Sequence, residues 1–262
     1  MSRLIDELNR VAREAPQPIG FRATHPAISK PRILLVASLT QIGNTDRLAD
    51  CVDGADALVL RLAKSHLAAN TIPKIAGALP DIPWGGWLED ADVPKMETFI
   101  EAGCDFVIFP ADSLVSAAPQ DDNIGKILQV ESTLSDGLLR AINDLPVDAV
   151  LTTDAYKTGD SMAWHHLMHF QRLANLLSQP VLVSAPLKVT DSELKSLWEA
   201  GVDGVVVEAD SGQPGALKDL RRIVSELPPR SLRRRGKAEA LLPRIGRDET
   251  EIGKTEEEEE EE

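Results

Sequence analysis

The stretch GKILQVES, residues 125–132, carries two polar side chains in an otherwise apolar run. A strand period of two puts Gln129 and Glu131 on one face and Leu128 and Val130 on the other. A carboxylate turned into an apolar interior must be paired, protonated or bound to a metal, because an isolated charge there costs too much. Asp154, just past the next apolar run VDAVLTT (147–153), stands where a second oxygen ligand would be needed. Mg²⁺ and Mn²⁺ are the cations that chemistry suits, since they take one or two carboxylates together with water and substrate oxygens. Arg61, in ADALVLRL (55–62), could clamp a carboxylate through two parallel hydrogen bonds or polarise a carbonyl. The same residues also admit a structural reading, in which Arg61, Glu131 and Glu208 form an ion-pair network.

Further candidates are spread along the chain. His165 and His169 lie four residues apart in WHHLMHF, on one face of a helix, with no Glu or third His at a zinc-protease position. Lys188, in APLKVTD, would form a Schiff base only if desolvated. The segment DSGQPGALKDL would offer backbone N–H groups to a phosphate at a helix N-terminus. Trp84 and Trp87 either line a binding mouth or pack beneath a loop.

Something must hold these groups. Eight short apolar runs, at 32–39, 55–62, 82–88, 104–110, 125–132, 147–153, 179–185 and 202–208, are mostly continuous in Val, Ile, Leu and Phe. That is the signature of parallel strands covered on both faces. Helical patterns alternate with them, several opening on Ser, Thr or Asp and closing on Gly. Eight alternating units argue for a closed (β/α)8 barrel, the TIM-barrel architecture, whose sites lie at the C-terminal ends of the strands. The segments EAGCDFVIFPAD (101–112) and EAGVDGVVVEAD (199–210) agree at seven of twelve positions and fall at the fourth and eighth strands. The expected organisation is an N-terminal helix and arm at 1–30, the barrel at 31–227, and a disordered tail at 228–262 that runs basic and then acidic.

The composition sets bounds. With 262 residues, 43% hydrophobic and 27% charged, the chain can build one large core. A formal net charge of −14 argues against nucleic acid as a partner. The absence of a long apolar run makes a membrane partner unexpected and a cytoplasmic location the expectation. Cys51 and Cys104 read as buried thiols rather than a disulfide.

ILQVESTLSDGLLRAINDLPVDAVLTTDAY, over the fifth and sixth strands, resembles the pyruvate-dependent class II aldolase and citrate lyase beta-subunit family of barrels. That resemblance implies a divalent metal held by Glu131 and Asp154, with Gln129 beside them, and carbon–carbon cleavage or decarboxylation of an oxo-acid. His66 falls near the family's catalytic histidine. Two features differ: VLTTDAY replaces a Gly-Pro-x-Asp-Leu turn, and WGGW stands where the family carries an arginine. The expectation is therefore a metal-dependent lyase for a small oxo-acid. Arg61 and His66 would act on the substrate, Gln129, Lys188 and Glu208 would contact it, and Mg²⁺ or Mn²⁺ would be the cofactor. The alternatives are a non-catalytic barrel that uses its tail to bind a protein partner, and a flavin- or phosphosugar-binding barrel. Self-association is compatible with each.

Overall fold

The computed structural model describes residues 2–12, 32–40, 52–62, 77, 81–88, 99–115, 119, 121–153, 162–209 and 215–228. The chain divides into a unit of residues 1–231 and a second unit, 232–262, which lies outside the described residues together with nearly all of the expected tail. Eight parallel strands close into a barrel in chain order. They are β1 (Leu34–Leu39), β2 (Ala57–Leu62), β3 (Trp84–Leu88), β4 (Phe106–Pro110), β5 (Gly125–Val130), β6 (Ala149–Thr152), β7 (Val181–Ala185) and β8 (Gly204–Glu208). The described helices are α1 (Arg3–Ala12), α2 (Asp136–Ile142), α3 (Trp164–Leu176), α4 (Asp191–Ala200) and α5 (Ala216–Glu226). Burial of both strand faces accounts for the unbroken apolar runs, and all six residues of β1 are buried.

Seven of the eight strands begin two residues later than their apolar runs, and in the even-numbered runs the second residue is an aspartate. Each even-numbered strand is preceded by one: Asp56, Asp105, Asp148 and Asp203. Their backbone N–H groups donate to Leu35, Trp84, Lys126 and Val181 carbonyls at 2.8, 2.8, 2.8 and 2.9 Å. Three of the carboxylates accept a return bond from the same partner residue: Asp56 from Leu35 N (2.8 Å), Asp148 from Lys126 N (2.8 Å) and Asp203 from Val181 N (3.0 Å). Each such aspartate satisfies the orphan donor at the start of an odd strand and pins the pair in register. Before three of them a glycine, Gly54, Gly103 or Gly201, turns the chain at φ 99°, 79° and 104°, where a Cβ would be strained. The similar segments at 101–112 and 199–210 both contain this Gly-x-Asp turn, so part of the repetition follows from a turn the barrel uses several times.

Asp105 is the exception, and it builds the barrel floor. Its carboxylate accepts from Arg3 N (2.8 Å), Leu4 N (3.0 Å) and the Ser2 hydroxyl (2.8 Å), which caps the N-terminus of α1 with a negative charge. Leu4, Ile5, Leu8 and Val11 of α1 are buried. A Cβ at Gly125, the first residue of β5, would lie 2.6 Å from Ile5 Cγ1, and one at Gly204, the first of β8, would lie 3.3 Å from Leu8 Cδ2. The absent side chains leave the space in which α1 packs against the strand starts. On the outside, Arg221 of α5 bonds Asp56 (Nη1–Oδ2, 2.9 Å), and Thr190 and Glu193 cap α4 reciprocally.

Candidate functional site at the barrel mouth

At the opposite end the inward strand faces turn polar. Counting by twos from the floor residues Gly125 and Gly204 brings Gln129 and Glu208 inward at the ends of β5 and β8. Arg61 on β2 stands in register with Trp87 on β3. Its guanidinium carbon lies 4.2 Å from the centre of the Trp87 ring, a cation–π contact worth about 0.5–2 kcal/mol. The indole N–H of Trp87 reaches past β4 to donate to Gln129 Oε1 at 2.8 Å. Gln129 Nε2 in turn donates to the Thr153 hydroxyl at 3.2 Å. On the other side, Arg61 Nη1 is 3.8 Å from Glu208 Oε1, and the Thr40 hydroxyl donates to that same oxygen at 3.0 Å. One connected set of groups thus runs through residues on or just beyond β6, β5, β3, β2, β8 and β1.

The electrostatics follow from exposure. The Arg61 and Glu208 side chains are 28% and 51% exposed, so water screens their attraction and the pair contributes little to folding. Its consequence is positional: a planar, permanently charged fork is held over an aromatic face at the rim of a polar layer. The WGGW run that carries Trp87 is explained by close packing. Phe106 fills the position where a Cβ on Gly85 would stand, and the Phe99 ring lies 3.2 Å from that of Gly86.

The expectation that Gln129 and Glu131 share an inward strand face is corrected. β5 ends at Val130, and the backbone turns at once, with Leu134 N donating to Glu131 O at 3.3 Å. Glu131 is exposed, and its carboxylate accepts from the Thr133 hydroxyl at 3.3 Å. The ion-pair reading holds for Arg61 and Glu208, while Glu131 is held by the Thr133 hydroxyl. Lys188 is exposed in the turn after β7. His66 and Asp154 lie outside the described residues, as does Cys51. The rings of His165 and His169 on α3 are 6.4 Å apart and edge-on, and among the described residues no three His, Cys, Asp or Glu side chains gather as a metal site. Trp84 packs against Phe99 at 6.0 Å, so only one of the two tryptophans reaches the mouth network. Cys104 is buried, and desolvation, with Asp105 adjacent, pushes its thiol up to about 12.

Fold and mouth together define a (β/α)8 barrel with a polar, arginine-bearing C-terminal rim. No protein-family model matches the sequence, and no curated protein matches it. Among solved structures, a mutant tryptophan synthase alpha-subunit from the hyperthermophile Pyrococcus furiosus is similar at 16% identity and a TM-score of 0.59, over 74% of this chain and 97% of that one. The N-(5'-phosphoribosyl)anthranilate isomerase of the same organism is similar at 16% identity and a TM-score of 0.55, over 74% of this chain and all of that one. At this identity the likeness shows the barrel alone, and the class II aldolase resemblance is not confirmed by it. No helix among the described residues is long and apolar enough to cross a membrane.

Proposed function

We propose that the barrel mouth binds a small oxo-acid through Arg61 and acts on it as a carbon–carbon lyase. The observation that carries this reading is the Arg61 guanidinium, placed over the Trp87 ring at the strand ends where barrel enzymes work. A guanidinium so oriented presents a planar fork that matches a carboxylate. Trp87 covers one face of it, and Gln129, tied to Thr153, keeps the indole from rotating away. Glu208, which shares an oxygen between Thr40 and Arg61, bounds the mouth on the β8 side. A substrate carboxylate on the Trp87 side of Arg61 would avoid that like charge.

Glu131 with Asp154 would hold Mg²⁺ or Mn²⁺. The fit rests on Glu131 being exposed and, among the described residues, accepting one long hydrogen bond from Thr133, which leaves lone pairs for a cation that keeps most of its waters. Bound there, the cation would supply Lewis-acid stabilisation of negative charge. His66 is the candidate for proton movement in this reading.

The test is pyruvate release from oxaloacetate and from 4-hydroxy-2-oxo acids, followed by NADH oxidation in a coupled assay with Mn²⁺ and then with excess chelator. Turnover that needs metal and is lost in Arg61→Met and Glu131→Gln is the expected result. Turnover indifferent to both substitutions would remove the mouth from the chemistry. A second reading, a phosphorylated ligand, is favoured by α5, the helix that follows β8, whose N-cap is Gly215 and offers no side-chain cap to the first N–H groups. Protection of those amides from hydrogen exchange by a sugar phosphate, and not by an oxo-acid, would select it.

A further inference from the structure

One hydroxyl in the mouth is not accounted for by the network. Ser38 lies on β1, two residues before Thr40 and therefore on the same face. It stands in register with Glu208 on β8 and with Val59 on β2. Its side chain is 2% exposed, and its Oγ has no hydrogen-bond partner among the described residues. Buried hydroxyls are nearly always bonded, so an unpartnered one beneath a polar mouth marks a place where something else supplies the partner.

We propose that the Ser38 hydroxyl donates to an uncharged oxygen of the small acid whose carboxylate Arg61 holds. This rests on the reading of the mouth as a carboxylate site. The division of labour follows from charge. Glu208 is the register partner of Ser38, so a ligand carboxylate is repelled from the β1 and β8 side of the mouth. It is drawn instead toward Arg61 on β2, above Trp87. A neutral carbonyl or hydroxyl oxygen meets no such repulsion and has a donor waiting in Ser38. The hydroxyl thereby makes the site select acids that carry a second, neutral oxygen next to the carboxylate over acids that lack one.

Pyruvate and propionate test this, because they have similar size and charge and differ by the oxo oxygen. Calorimetric titration of the full chain should show pyruvate binding more tightly than propionate. In Ser38→Ala, pyruvate should weaken about tenfold, the loss of one hydrogen bond, while propionate is unchanged. The empty variant should melt at or above the temperature of the parent, since an unpartnered hydroxyl contributes nothing to the empty fold. Equal pyruvate affinity in parent and Ser38→Ala would mean that the hydroxyl is served by water only and would overturn the proposal. A lower melting temperature in the variant would mean that the protein itself partners the hydroxyl, which also overturns it. Arg61→Met should lose both acids. If it retains both, or if the parent binds neither, the carboxylate reading fails, a result distinct from the failure of Ser38 alone.

Discussion

Trp87 ties Arg61 to Gln129: its ring lies 4.2 Å from the guanidinium carbon while its indole N–H donates to the glutamine oxygen at 2.8 Å. The three residues come from β2, β3 and β5, and the tryptophan and glutamine face each other past the intervening β4. The consequence is that the orientation of a charged group at the rim depends on a hydrogen bond made three strands away.

Trp87→Phe separates the two contacts, keeping an aromatic face under Arg61 and removing the N–H. It should destabilise by about 1 kcal/mol, because a half-buried acceptor on Gln129 loses its donor. Urea denaturation of Trp87→Phe, Gln129→Leu and the double variant should give a coupling energy of about 0.5–1.5 kcal/mol. Additive single effects would mean that the bond is not formed in solution.

Asp105 is expected to matter more for α1 than for the sheet. Asp105→Ala removes the acceptor for Arg3 N, Leu4 N and the Ser2 hydroxyl together, a loss of about 1–3 kcal/mol. Hydrogen exchange should quicken at α1 amides first, whereas Asp203→Ala should expose the start of β7 instead. Uniform loss of protection in both variants would contradict separate roles.

Gly125→Val tests the floor. The added Cβ would stand 2.6 Å from Ile5 Cγ1 and 2.8 Å from Ser2 Oγ, so these side chains or the helix that carries them must move, at a cost of about 1–3 kcal/mol. The measured readout is the denaturation midpoint, together with protease cleavage near the N-terminus. An unchanged midpoint would show that α1 does not pack there.

Cys104 supplies a pH dependence. Its folded thiol is raised from 9.0 to about 12, so the folded state holds the proton more tightly than the unfolded one. The stability this protects is complete below about pH 9 and is lost as the pH climbs from there toward 12. Melting temperatures at pH 8 and pH 10.5 should therefore differ more in the parent than in Cys104→Ala. Equal differences would place the thiol in water.

The eight parallel strands were legible because burial on both faces writes Val, Ile and Leu without alternation, as β1 and β8 do. The Gly-x-Asp turns were also visible, as a repeated phrase, although their purpose was not: which backbone donor an aspartate satisfies depends on which strand or helix lies beside it. Glu131 shows where a period-two reading stops, since periodicity carries no signal for the residue at which a strand gives way to a turn.

The sequence alone determined the barrel and the identity of Arg61, Gln129 and Glu208 as polar groups at the C-terminal ends of its strands. Only the assembled sheet decided that Trp87 would bridge Arg61 and Gln129, that Asp105 would cap α1 where its counterparts pin strands, and that Ser38 would stand beside Glu208 with a buried hydroxyl. The physical reason is that strand patterns arise from local burial, whereas contacts between residues 42 or 168 positions apart exist only once every intervening strand has been laid beside its neighbour.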